Sequence, residues 1–512
     1  MKSLDGDKPM RLSAKLFLWL GVFAVLGVLG LWMEHERAAA RTRAFKEQLE
    51  AKGERLSYTN HVPPMPPAAS NGAADFNRAA GALTSLKPEF LPQRMRMVAP
   101  ARARVSWSLA MLPTEKEPDV WPAVAAHVEE NRPALAELYS ALDRPVMVNK
   151  LEYEKTFSML LKHLGPMKGA ANTLSMAAIY DLHEGNRSLA FTNLLAGIRS
   201  GSRLKEPVVI SQLIRNACGA IMLGTIWEAL QHPGWNDAEL AALQQAWEEF
   251  DVLEGFLGSL NMERAMCIAI AAQCRTNFQT YHELVGSGGG STSSGSLGAF
   301  FDDPSKAADA VMGLWTRVTW SAWGSYADER WMLEHHQIWL DGARLVIATN
   351  CYAPVKAQVD AASAAHGEPG RREHILSRTI VPALDRYSKK IAMHEASRRV
   401  VVAAIALERH KVRHGKFPEN LSALVPEFMA TMPRDFMDGQ PLRYRLLPDG
   451  QFMLWSIGDD FVDDGGDGST PPTSTPGSRI WTQVRDLVWP LPASAEEVEA
   501  DRAMTESKRS RK

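Results

Sequence analysis

The residues best suited to chemistry lie near the end of the chain, where Asp459, Asp460, Asp463, Asp464 and Asp467 are interleaved with Gly465, Gly466 and Gly468. Hard cations take roughly six to eight oxygens from carboxylates, carbonyls and water, and glycines let a loop turn its carbonyls inward. The segment is therefore a candidate calcium loop with Asp460, Asp463, Asp464 and Asp467 as ligands. Its spacing is not that of an EF-hand, and a solvated acidic loop is the alternative reading. His410 and His414 stand four apart, able to face one ion, but no HExxH surrounds them and Arg409, Lys411 and Arg413 repel a cation. They suit the C-terminal end of a helix better. His335 and His336, near Glu329 and Glu334, are adjacent, which on a helix turns their rings about 100° apart.

There is no GxSxG elbow and no GxGxxG after a strand, so no catalytic set is nominated and no organic cofactor is implied. GSGGGSTSSGSLG at 286–298 is glycine-rich, but no Gly-Lys-Ser/Thr ends it and no apolar strand precedes it, so it reads as a flexible loop. Cys218, Cys267, Cys274 and Cys351 are too scattered for a disulfide scaffold or a zinc module. Cys267 and Cys274, seven apart in a helical pattern, are about 10 Å apart along the axis, beyond disulfide reach.

The elements that must position these residues are mainly helical. Leu16–Met33 runs for 18 residues without a charge, about 27 Å as a helix, with Trp19 and Trp32 near its ends. This predicts a single transmembrane helix at 16–33, embedded in the lipid bilayer, after a short cytoplasmic N-terminus at 1–15. The apolar run exceeds a signal peptide's, and the charged block at 34–37 separates it from Ala38–Ala40. Residues 34–72 read as a charged juxtamembrane helix ended by the spacer of Pro63, Pro64, Pro66 and Pro67.

Helix follows helix from 73 to 372, including a helical hairpin around His183-Glu184-Gly185-Asn186, though no 34-residue repeat supports a solenoid. Trp315, Trp323, Trp331 and Trp339 recur every eight residues, which on a continuous helix spreads them around its circumference and predicts burial on several sides. A long helix over roughly 373–413, with Gly415 as its stop, opens an α+β module extending to 492. After Pro418 the apolar period shortens toward two, and two such runs across Pro448-Asp449-Gly450 predict a hairpin, with sheet confined mainly to about 440–458. A charged tail fills 493–512. The predicted fold class is mainly α: a transmembrane helix, a large helical domain and a small α+β module with a short antiparallel sheet.

The order GKFPENLSALVPEFM, DFMDGQPLRYR, FMLWSIGDD and an Asp/Gly-rich loop resembles the C-terminal globular region of the major pseudopilins of type II secretion, over about 70 residues. The resemblance implies a long helix packed on a small antiparallel sheet, an extracytoplasmic setting, and a calcium ion held after the last strand with Asp460 in the first ligand position. Two departures are plain. The family's Asp-Pro-Trp-Gly is replaced by Asp435-Phe436-Met437-Asp438-Gly439, and the apolar helix lies far upstream without a pseudopilin processing site. The chain as a whole is more similar to bacterial single-pass membrane proteins ending in such a module.

With 57 basic against 59 acidic residues the chain lacks the electrostatic footprint of a nucleic-acid binder, so no nucleic-acid partner is expected. Three functional readings stay open: a cytoplasmic-membrane-anchored, extracytoplasmic interaction or scaffold protein whose partners are other envelope proteins, an accessory of type II secretion or pilus-like machinery, and an enzyme with an unrecognised site.

Overall fold

A computed structural model of the chain describes residues 8–85, 121–230, 232–286, 320–368, 374–381, 383–448, 450–468 and 485–489. The Gly/Ser-rich segment beyond Gly286, Trp315, Asp449 and the tail at 493–512 lie outside the described residues. The fold is mainly helical with one small antiparallel sheet. By its contacts the chain forms two compact units, one of Met1–Asn60, Glu263–Ile338 and Ala362–Pro382, the other of His61–Met262, Trp339–Ala361 and Ala383–Lys512.

In the first unit, α1 (Lys8–Ala51) is continuous, about 66 Å long at 1.5 Å per residue. Its composition changes part-way. Up to Met33 its described large apolar side chains are exposed, whereas Ala39, Thr42 and Leu49 are buried. The buried stretch is tied by polar contacts that few surface helices have. Lys46 pairs with Glu329, whose other oxygen meets Arg275 at 2.9 Å, and the Thr42 hydroxyl donates to the Tyr326 carbonyl at 3.0 Å. Past the helix end, Glu54 receives the fully buried Arg264 at 2.8 Å. These partners come from α8 (Leu253–Thr276) and α10 (Ser325–Thr349). On α10, Asp328 is buried and caps the short helix α12 (Ile375–Ile380) by accepting from the backbone of Leu376 and Ser377, and it also accepts from the Trp320 indole at 2.8 Å. Trp331 and Trp339 are both buried, as their spacing predicted.

The second unit is built on helical hairpins. Helices α2 (Ala73–Ala82), α3 (Trp121–Leu142), α4 (Leu164–His183), α5 (Arg187–Ser202), α6 (Val209–Ala229) and α7 (Asp237–Glu248) follow one another. The α4–α5 turn is the hairpin expected from the sequence, and Gly185 takes φ +79° there, a left-handed conformation that costs glycine nothing. α4 is apolar nearly all round and is buried along almost its whole length, the condition of a central helix. Its one buried charge, Asp181, is held bidentately by Arg132 at 2.6 and 3.1 Å and by Asn193 at 2.7 Å, tying α3, α4 and α5. α6 is long and apolar enough to cross a membrane by composition, but 56% of the relevant stretch is buried in the protein, as in a core helix.

The C-terminal module begins with α13 (Leu384–His414), which ends where Gly415 adopts φ +76°. Its start differs from the expected 373, because the chain turns extended at Val381 before Pro382, as residues preceding proline do. β1 (Arg443–Leu446) and β2 (Phe452–Ser456) form the expected hairpin, with Tyr444 opposite Leu454. A third strand, β3 (Leu487–Trp489), pairs antiparallel to β2, and the sequence reading had not included it.

Candidate functional site

The acidic loop follows β2. Among the described residues Asp460 accepts only from the nearby Val462 backbone, at 3.0 Å, and Asp463 accepts from the Trp455 indole at 3.0 Å and from Arg443 at 3.3 Å. Asp464 and Asp467 both face Arg485, at 3.3 and 3.6 Å. Asp459, set aside from the ligand set, pairs with Lys389. Asp463, Asp464 and Asp467 thus share the loop with two guanidinium groups. Among the described residues no three His, Cys, Asp or Glu side chains converge to hold a metal ion. Asp486, absent from the sequence-derived set, closes the loop by accepting from the Gly466 and Asp467 backbone at 2.7 and 3.2 Å. Burial pushes its carboxyl up to about 6.

The histidine pairs resolve as local structure. His410 and His414 have ring centroids 4.5 Å apart, and each has its own partner: the Lys416 carbonyl for His410 at 2.9 Å, and Glu427 for His414 at 3.3 Å. The rings of His335 and His336 have centroids 6.1 Å apart and planes at 86° to one another. His335 instead stacks on Trp331 at 4.8 Å. Another constellation has the residue types of a hydrolase: Ser211 and His163 both reach the buried Glu206, at 2.6 and 3.0 Å. The carboxylate stands between hydroxyl and imidazole, whereas a serine nucleophile needs the imidazole in the middle to take its proton. This knot binds α6 to the loops before α4 and α6.

The concavity that stands out chemically is a groove of about 570 Å³ in the second unit, between α7, α13 and the stretch Pro426–Arg434. One wall begins at Asn236, which caps α7 with a capping box to Glu239. That cap sets Asp237 in the first turn, where it accepts from Arg409 at 2.7 Å and from Arg413. On α13, Glu395 is buried and accepts from Arg398 and Arg399, three and four residues on and so on the same helix face. Burial raises the Glu395 carboxyl, but the two guanidiniums outweigh it and hold the group below its ordinary value. Arg399 also lies 4.7 Å over the Phe436 ring and donates to Asn350. The far lip is fixed by Gln244, which donates to the Phe428 carbonyl at 2.8 Å.

No protein-family model, curated protein or solved structure matches the chain. The groove must therefore be read from its own chemistry. Arg398, Arg399, Arg409 and Arg434 face it with Glu248 and Glu427, and its lining contains no serine, cysteine or histidine. It is equipped to bind carboxylates and hydrogen-bonding chains. A second, apolar recess under Trp339, Tyr352 and Ile391 has a volume of only about 20 Å³, and its one ammonium, Lys356, is already held by Asp360 and Asp385.

The groove was not legible in the sequence. Arg398 and Arg399 stand at helical spacing from Glu395, an ordinary solvated pattern, and only the packing of α7 and the 426–434 stretch turns them toward a cavity.

Proposed function

We propose that the chain is a membrane-anchored, extracytoplasmic interaction protein of the cell envelope, held in the cytoplasmic membrane by residues 16–33 with its N-terminus in the cytoplasm. One observation carries this reading: Trp19, Val22, Phe23, Val25, Leu26, Val28, Leu29, Leu31, Trp32 and Met33 are all exposed on one uninterrupted stretch of helix. Apolar surface of that extent in water is strongly unfavourable, and a bilayer removes it. The absence of a nucleophile–base pair from the main groove favours binding over catalysis as the role of the folded part.

A second reading, an accessory of secretion or pilus-like machinery, is favoured by the packing of the long helix α13 against an antiparallel sheet, the arrangement that the pseudopilin resemblance implies. The anchor is tested by extracting membranes with alkaline carbonate, where the full chain should stay in the pellet and a chain lacking residues 16–33 should be released. Alkaline phosphatase fused after Lys512 should be active. An inactive phosphatase with a fluorescent cytoplasmic fusion at the same site would reverse the orientation.

A further inference from the structure

We propose that the groove between α7, α13 and Pro426–Arg434 binds an extended acidic peptide segment of a partner protein. This deepens the reading of the chain as an interaction protein and rests on it.

The first support is charge. Arg398 and Arg399 share a single carboxylate, Glu395, so that triad keeps one net positive charge. Arg409 and Arg413 face two carboxylates, Asp237 and Glu427, and balance them. Arg434 donates to the Gly439 carbonyl at 2.9 Å and has no carboxylate partner among the described residues. Of the groove's own acids, Glu427 accepts from Arg413 at 3.0 Å and is paired with His414, whereas Glu248 accepts only from the neutral Gln244 among the described residues, at 2.9 Å, and keeps its charge, so the excess is about one positive charge, carried by Arg398, Arg399 and Arg434.

The second support is the supply of donors. A guanidinium has five N–H groups in a fixed fork. Arg399 uses Nε and Nη2, leaving Nη1 without a bond among the described residues, and Arg409 uses Nε and Nη1, leaving Nη2. A free terminal nitrogen on a partly covered arginine can donate a charge-assisted hydrogen bond to a carboxylate.

The third support is shape. Arg399 and Arg409 are ten residues apart on one helix, about 15 Å, the length of roughly five residues of extended chain. Along the opposite lip, the backbone groups of Ala430, Thr431 and Met432 make no hydrogen bond among the described residues. These three residues lie in a bent, irregular stretch, and their free N–H and C=O groups are open to hydrogen bonds from an incoming chain. Met429 and Met432, half-buried beside them, add adaptable apolar contacts. Spaced carboxylates on an extended backbone satisfy all three features together.

The test uses the full chain in detergent micelles and a fluorescent peptide of ~10 residues alternating Glu and Val, long enough to span the groove, with its Gln/Val counterpart as control. Anisotropy should show binding of the Glu peptide alone, weakening as salt is raised. Arg434→Gln, at an exposed position, should weaken it about tenfold, the loss expected for one charge-assisted bond, with an unchanged circular dichroism spectrum. Arg399→Gln should weaken it at least as much. Equal binding of the Gln peptide, no effect of Arg434→Gln, or equally strong competition by single-stranded RNA would overturn the assignment. Carbonate extraction is read separately. A chain that stays in the membrane but ignores the peptide loses only the groove, and one that binds the peptide but is extracted loses only the anchor.

Discussion

Asp435 shows how much one carboxylate can organise. It is fully buried, and its two oxygens accept from Arg443 at 2.9 Å, the Ser456 hydroxyl at 2.7 Å and the backbones of Met437 and Ile457, both at 2.9 Å. Removing it takes the acceptor from the Ser456 hydroxyl and the Met437 and Ile457 backbones, at about 1–3 kcal/mol for each buried donor left unsatisfied, while Arg443 keeps Asp438 and Asp463. Asp435→Ala should therefore unfold the C-terminal module at lower urea, seen as early loss of protection from protease around β1 and β2, while Asp460→Ala should leave that midpoint nearly unchanged in the absence of calcium. The calcium expectation also takes a definite form at this scale, because the ion must compete with Arg485 for Asp464 and Asp467. Arg485→Gln should lower the calcium concentration at which the module's melting point rises. A melting point independent of calcium in both proteins leaves the guanidiniums as the loop's counter-ions. The carboxylates were legible in the sequence as a cluster, but their partners were not. Arg443 arrives from β1 and Arg485 from beyond the loop, and no local spacing announces either.

At the scale of elements, local signals were legible and long-range pairings were not. Gly185 and Gly415 mark helix ends because a left-handed residue is needed there, and the period-two runs around Pro448 mark β1 and β2. β3 escaped notice because three apolar residues carry no period, and its pairing with β2 bridges about thirty intervening residues. Close helix packing was equally hidden. On α6, Gly219 has the His394 ring so near that an added Cβ would lie 2.7 Å from its Cε1 and Nε2, with Phe250 at 3.1 Å. Two effects of Gly219→Ala therefore compete: a gain of up to ~1 kcal/mol in helix propensity and a loss of about 1–3 kcal/mol from overpacking. Burial of the ring makes overpacking win. Gly219→Ala should destabilise the protein, yet in a His394→Ala background the same change should become neutral or stabilising, because the space is then vacant. A penalty of equal size in both backgrounds would mean that His394 is not the obstacle.

For the whole molecule, the class of fold was legible because helical and strand periods are local, whereas the two compact units were not, each being assembled from segments far apart in sequence. That assembly places several ionisable groups in the interior of the first unit, and they set how stability depends on pH. Glu263 is buried, and desolvation pushes its carboxyl up to about 8. Its folded pKa lies above the unfolded value near 4.5, so its contribution is fully present below about pH 4.5 and is lost as pH rises toward 8, by at most ~1.4 kcal/mol per pH unit. His335 and His336 act oppositely. Burial lowers them to about 4 and about 3, so what they contribute is present above about pH 6.5 and is lost on acidification through those values. His394, lowered by burial to about 3, adds to the histidines, while Glu408 and Asp486, raised by burial to about 7 and about 6, add to Glu263, so these opposing slopes nearly cancel between about pH 4.5 and 6. Above about 7 the contribution of Glu263 is the one among these still falling. Asp328, also raised by burial, adds to losses as pH rises through the acid range. Glu263→Gln isolates the glutamate's part, since the amide matches the protonated acid in shape and cannot ionise. Unfolding free energies of the two proteins, measured in the same detergent from pH 4 to 9, should differ little below pH 4.5. They should diverge in favour of the variant up to about pH 8, moving its optimum to higher pH. A constant difference across that range would mean that Glu263 titrates normally and is solvated in the native protein.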